Sequence, residues 1–347
     1  MQFWSNERLI VTAGEPDSNM AHDTSKSLVR LDGMTAVVVG ATGGWGRGAA
    51  SALAERGASV VVSARTQASV DELQAEIRDR GGQAAAHAGD IRTLAGARKI
   101  VKFAVDTYGG LDIMVNAAGM TVEDHRTRGG PARSLLDLDE DAWNQMIAVE
   151  LGGVFTCTKA AAEQMVLQGR GGRVINVAGG AGMYGIKGDG SHAAAKGGVA
   201  SAMWSWCEQL FSERITINCV RGGVRSTTMD SAAVNRWSSK VSRSTGAGRV
   251  DARALGFFQP EEAAPIIVWL ASGQASEFTG FYIGIDGPKL SIWQPKLPDC
   301  SLYNFPRWSA EEIDVALAPA LRLRGGRVSP TDLLTTTYNN TVGSVRL

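Results

Sequence analysis

"VVVGATGGWGRG" (Val37–Gly48) is the stretch that decides how this chain folds. A run of valines too short for a helix stops at glycines, and an alanine-rich segment with helical spacing, "GRGAASALAERG" (46–57), follows at once. The reading is strand, tight turn, helix. Gly40, Gly44 and Gly46 have the spacing G-x-x-x-G-x-G. That spacing lets the backbone turn sharply, approach a pyrophosphate and aim helix N-terminal N–H groups at it. A strand before and a helix after are the context that separates a dinucleotide cradle from an ordinary βα turn. Thr42 and Trp45 belong to the same turn, and the bulk of Trp45 is expected to press on a cofactor or narrow its entrance.

The rhythm continues downstream. "ASVVVSA" (58–64), "LDIMVNAAG" (111–119), "GRVINVAG" (172–179), "ITINCV" (215–220) and "FYIGIDG" (281–287) read as buried strands. Helical patterns lie between them. "SVDELQAEIRDRGG" (69–82) puts Val70, Leu73 and Ile77 on one face and ends at glycines, and acidic residues open the long pattern 139–165. Alternation of this kind predicts an α/β fold, a doubly wound parallel sheet buried on both faces. Residues 1–33 are polar and irregular and read as an N-terminal extension. Residues 34–289 form the domain. Residues 290–347, richer in Pro and Arg with one helical stretch "SAEEIDVALAPAL", read as a tail laid on the core or on a neighbouring subunit.

Composition excludes several classes. The 35 Lys and Arg balance the 35 Asp and Glu, so the chain carries no electrostatic footprint for nucleic acid or an anionic membrane. Cys157, Cys207, Cys219 and Cys300 are scattered without CxxC spacing and read as free thiols in a reducing compartment. His22, His87 and His125 have no partners at metal-ligand spacing, so no metal is expected. The first residues lack a basic segment followed by an apolar run, and no segment has the length of a membrane span, so the expected location is the cytoplasm.

Beyond the glycine turn, "GDI" (89–91), "VNAAG" (115–119), "INCVRGGVRSTTM" (217–229) and "YIGIDG" (282–287) occur in an order and spacing that resemble the short-chain dehydrogenase/reductase family of the extended-Rossmann, single-domain type. The resemblance runs from about residue 34 to 288. It implies a nicotinamide cofactor, with Asp90 and Ile91 at the adenine and Asn116, Ala117 and Gly119 in the family's Asn-Asn-Ala-Gly segment. Ala117 replaces the second asparagine, and Gly222 stands where a proline is usual. Arg65 follows the second strand where an acidic residue would grip a ribose 2′-hydroxyl. A cation there favours a 2′-phosphate, hence NADP(H) over NAD(H), and a solvated arginine at a helix entrance is the alternative.

The catalytic positions depart from the pattern. Lys196 matches the lysine of the family's YxxxK motif, where it would hold the nicotinamide ribose, but the tyrosine position is His192, the serine position is Gly179 and the asparagine position is Glu150. Histidine is shorter than tyrosine by roughly a couple of ångströms, and proton transfer needs about 2.6–3.2 Å, so His192 requires a water, a shifted substrate or a shifted helix. His192 and Lys196 are one helical turn apart. The ammonium discourages a second positive charge, while Glu150, if it points inward, favours one and completes a Glu–His–Lys proton shuttle. The opposing reading is a plain Glu150–Lys196 ion pair filling a dead site. Tyr184, on the loop between the serine and tyrosine positions, is a rescue candidate, and Ser191 is the expected N-cap of the His192 helix.

Three functions follow. The first is an NADP(H)-dependent oxidoreductase interconverting a carbonyl and an alcohol. The second is a silent subunit accompanying an intact relative, as the resemblance allows. The third is a non-redox isomerase, lyase or cyclase using the same cleft. The small residues at 178–182 hint at a bulky or aromatic small-molecule substrate. The helices at 140–168 and 191–212 are the expected contacts of a homo-oligomer or a hetero-oligomer with a related subunit.

Overall fold

The protein is described from a computed structural model, which covers residues 29–120, 135–185, 189–224, 257–286 and 289–293. The expected extension up to residue 28, the segment 225–256 and the tail from 294 lie outside the described residues.

The valine run forms β1 (Thr35–Val39) at the centre of the molecule. Successive side chains of a strand point to opposite faces, so Ala36 and Val38 enter one apolar core while Val37 and Val39 enter the other. The chain proceeds through α1 (Gly44–Glu55), β2 (Ser59–Ala64), α2 (Gln67–Asp79), β3 (Gln83–Ala88), α3 (Leu94–Tyr108) and β4 (Ile113–Asn116). After α4 (Glu140–Ile147) come a π-helical turn (Ala148–Gly152), α5 (Gly153–Gln168), β5 (Gly172–Val177), the single turn α6 (Ala181–Tyr184) and α7 (Gly190–Phe211). The chain then runs through β6 (Ile215–Arg221), the short pair β7 (Gly223–Val224) and β8 (Phe257–Phe258), α8 (Pro260–Ala271), β9 (Tyr282–Asp286) and β10 (Lys289–Trp293).

The main sheet has eight strands in the order β10-β9-β6-β5-β4-β1-β2-β3, parallel except for the β9–β10 hairpin. Helices α1, α2 and α8 cover one face, and α3, α5 and α7 cover the other. The strand order reverses between β1 and β4, and a crevice opens at their carboxyl ends, where doubly wound sheets bind ligands. The fold class is the one expected.

Four details differ from expectation. β3 is spelled "QAAAHA", and alanine is a poor strand former, so its strand character comes from pairing with β2. The pattern 139–165 is two helices joined by the π turn. Residues 290–293, expected in the tail, continue the sheet as part of β10. Ser191 lies inside α7 and is buried; the N-cap is Asp189. Among the described residues, no helix is long and apolar enough to cross a membrane, and no group of three or more His, Cys, Asp or Glu could hold a metal.

Candidate active site

At the nucleotide end, Gly40 has φ +72, and a Cβ there would stand 2.4 Å from the Ala118 Cα and backbone nitrogen. A Cβ on Gly46 would lie 2.1 Å from the Gly40 carbonyl oxygen. Both positions need glycine for steric reasons. They bring β1, the end of β4 and the start of α1 into backbone contact, a cradle in which α1 begins without a side-chain cap. These residues fit a dinucleotide pyrophosphate. Gly40→Ala is expected to cost about 1–3 kcal/mol through overpacking, read as a lower thermal midpoint.

Trp45 reaches across the crevice, and its indole N–H contacts the Gly222 carbonyl at 3.4 Å. Thr42 is half-buried in the turn, and Arg65 is exposed just past the end of β2. Both Asp90 oxygens are engaged by Arg92, at 2.6–3.0 Å, and the hydrogen bond from Arg92 holds the Asp90 carboxyl below its ordinary range. Ile91 packs against Gly153, and its carbonyl accepts the Thr156 hydroxyl. The side chain of Asn116 turns inward, donating to Asn176 at 2.8 Å and to Thr158 at 3.1 Å. It braces β4 to β5, so only its backbone faces the crevice. Ala117 donates its N–H to the Val39 carbonyl at 3.0 Å, and Gly119 lies beside Glu150.

At the other end of the crevice the π turn inserts one extra residue per helical turn and swings Glu150 inward, where it is fully buried. One carboxylate oxygen accepts the Met120 N–H at 2.7 Å. The other lies 2.6 Å from His192 Nδ1 and 3.8 Å from Lys196 Nζ. Burial pushes the Glu150 carboxyl up, but the Lys196 charge and the His192 contact outweigh it, and the net direction is below the ordinary value. An ionised carboxylate only accepts hydrogen bonds, so Nδ1 carries the hydrogen and Nε2 is the atom free to gain or lose a proton. Lys196 Nζ also donates to the Val177 carbonyl at 3.1 Å.

Gly179 has φ +70, and a Cβ built there would meet nothing nearer than His192 Nε2 at 3.8 Å. A serine at this backbone would be strained by about 1–2 kcal/mol, so the glycine is part of the turn's shape. Of the small residues at 178–182, Gly179 alone leaves space at that turn. Gly180 is closed by the Tyr184 hydroxyl, 2.4 Å from a Cβ there, and Gly182 packs on the Lys196–Gly197 backbone. Tyr184 itself lies against Trp293, ring centroids 6.1 Å apart, and burial raises its phenol above the ordinary value. The structure thus brings Glu150, His192 and Lys196 together, with the Tyr184 hydroxyl against Gly180, the residue after Gly179. Residues not anticipated are Met120, whose N–H holds Glu150, and Tyr282, whose hydroxyl donates to the Gly179 carbonyl at 2.6 Å.

Comparison with known proteins identifies the family. Residues 34–237 match the family model described as short chain dehydrogenase. A 3-oxoacyl-[acyl-carrier-protein] reductase of Thermotoga maritima is 30% identical over 75% of this chain and 98% of its own length. A hydroxyacyl-CoA dehydrogenase of Mycobacterium tuberculosis is 32% identical over 80% of this chain and 85% of its own length. An L-rhamnose 1-dehydrogenase (NAD(P)(+)) of Sphingomonas is 33% identical over 74% of this chain and 96% of its own length. Among solved structures, a short chain dehydrogenase from Mycobacterium avium superposes with TM-score 0.69 at 26% identity, covering 84% of this chain and 95% of that one. With its glycine cradle, its sheet order and these relatives, the chain belongs to the short-chain dehydrogenase family.

Proposed function

We propose that this protein binds NADP(H) over the β1–α1 turn and interconverts a carbonyl and an alcohol, with His192 Nε2 as the proton-transfer atom. The observation that carries the reading is the 2.6 Å contact between His192 Nδ1 and the buried Glu150 carboxylate. It fixes the imidazole so that Nε2 faces the open space at Gly179. The nicotinamide, when bound, supplies or accepts the hydride. In the reductive direction the imidazolium gives its Nε2 proton to the substrate oxygen and recovers one from solvent, to which the ring is 22% exposed. In the oxidative direction the neutral imidazole takes the hydroxyl proton at Nε2. Glu150 holds the ring and balances the imidazolium charge, and Lys196 keeps Glu150 ionised. The contact from Glu150 to His192 is shorter than that to Lys196, which favours the shuttle over a plain ion pair filling a dead site.

Two relatives are named for oxidation or reduction of 3-oxoacyl or hydroxyacyl thioesters, so acetoacetyl-CoA leads the substrate panel, followed by bulkier aryl ketones. The domain reading of one catalytic unit, begun at 34 and carried by β10 from the expected 289 to Trp293, goes with this proposal, as does association through α5 and α7. Phe155 is 47% exposed and its ring faces Trp206 on α7 across 6.2 Å. The test of the reaction is NADPH oxidation by the purified chain alone. Turnover only in the company of a related subunit would mark a silent partner, and conversion of substrate without a change in nicotinamide absorbance would mark a non-redox enzyme.

Arg65 gives a separate check on the cofactor. Its exposed position at the end of β2 suits a 2′-phosphate, so Arg65→Ser is expected to raise the Kd for NADPH roughly tenfold, the worth of one charge-assisted contact. The Kd for NADH should stay within about twofold. Equal weakening for both cofactors in a fluorescence titration would remove Arg65 from the site.

A further inference from the structure

The peptide between Gly179 and Gly180 is held from two strands away on the same face of the sheet. Tyr282, fully buried on β9, donates its hydroxyl to the Gly179 carbonyl at 2.6 Å. The strands run β9-β6-β5-β4, so the carbonyl that follows β5 is turned sideways, over β6 and toward β9. A trans peptide is planar, with its C=O and N–H pointing in opposite directions. The Gly180 N–H therefore points away from Tyr282, and β4 ends on that side of β5. There a Cβ on Gly119 would lie 3.2 Å from Glu150 Oε1 and 3.9 Å from Lys196 Nζ. That N–H makes no hydrogen bond to any described residue. The adjoining space at Gly179 is bordered by His192 Nε2 at 3.8 Å from a Cβ built there. The helix that follows is a single turn and adds no dipole of consequence.

We propose that the Gly180 N–H donates to the substrate's carbonyl oxygen, standing in for the hydroxyl that the serine position lacks, and that Tyr282 is the positioning residue that keeps this donor aimed. The inference rests on the oxidoreductase reading above. As the carbonyl carbon accepts hydride, its π pair moves onto oxygen. The backbone donor holds that oxygen while the Nε2 proton of His192 transfers to it, leaving an alcohol and a neutral imidazole.

Gly180 has φ −63 and ψ −25, values that proline also adopts. Gly180→Ala and Gly180→Pro both bring a Cβ against the movable Tyr184 hydroxyl, but only the proline removes the N–H. In acetoacetyl-CoA reduction, kcat of the Pro variant should fall below that of the Ala variant by on the order of 10²-fold, the usual loss for one oxyanion donor. Their Kd values for NADPH should agree within about twofold. Equal kcat values overturn the proposal. Tyr282→Phe should lose roughly tenfold in kcat with KM little changed, and an unchanged kcat overturns the positioning role. A readout independent of turnover separates failure of this site from failure of the redox reading. In ¹⁵N-glycine-labelled protein, the amide resonance absent from Gly180→Ala belongs to Gly180. It should move downfield when acetoacetate is added, with or without NADP⁺, and should move less in Tyr282→Phe. A resonance that stays in place overturns the site even in an active enzyme, and one that moves in an enzyme oxidising no NADPH supports it.

Discussion

His192→Ala should lower kcat by about 10²–10⁴-fold, the usual contribution of a positioned general acid or base, while the Kd for NADPH is unchanged. The separation follows from where the ring lies. Its Nδ1 is taken by Glu150 at 2.6 Å, its Nε2 faces Gly179, and the glycine cradle is built from β1, α1 and the end of β4. Deleting the imidazole removes the proton-transfer atom and leaves the pyrophosphate contacts intact. His192→Tyr should not restore the family's chemistry. A phenolate at 192 would face the ionised Glu150 carboxylate, which disfavours it, and no serine stands at 179. Steady-state kinetics beside a cofactor titration checks both variants. An alanine variant as active as the parent would remove His192 from the reaction.

Glu150→Gln should cost about 3–5 kcal/mol of stability at neutral pH, the range for breaking a buried charge pair by removing one partner. The amide keeps the shape but leaves the Lys196 ammonium, 6% exposed, without its counter-charge. The pH dependence has a definite sign. Lys196 and His192 hold the folded Glu150 carboxyl below the value of an unfolded glutamate, against the opposing effect of burial. The parent is therefore stabilised at pH values above the ordinary carboxylate range. It loses that stabilisation as acid carries the pH down through the folded value. Denaturation midpoints measured from neutral to acid pH should fall less steeply for the Gln variant than for the parent. Parallel curves would mean that folding leaves the Glu150 carboxyl at its unfolded value, without the pull from Lys196 and His192.

The sheet was readable from the sequence because its strongest local signals agreed. The valines of β1, the glycines at 40, 44 and 46 and the 3.6-residue spacing of Val70, Leu73 and Ile77 all point to one topology. β3 escaped because its alanines carry no strand preference and its pairing with β2 supplies the order. Within the site, His192 and Lys196 were legible as neighbours from their i, i+4 spacing. The inward turn of Glu150 was not, because it depends on a π turn that the helical pattern of "AVELGGVF" does not announce. The engagement of Asp90 by Arg92 was within reach of the sequence, two residues apart, whereas the hydrogen bond from Tyr282 to Gly179 joins positions 103 residues apart. That contact becomes visible only once β9 is known to lie beside β6. The positive φ of Gly179 likewise turns an apparent loss of serine into a requirement of the backbone.

On the proposed reading, the exchange of tyrosine for histidine at position 192 leaves a working oxidoreductase. Its most direct test is single-turnover oxidation of NADPH by the purified chain, with acetoacetyl-CoA and an aryl ketone as acceptors. Cofactor oxidation should rise in proportion to enzyme, with the proton delivered through His192 and the signal lost in His192→Ala. Tight NADPH binding with no oxidation by any acceptor, or oxidation that is indifferent to the substitution, would contradict it.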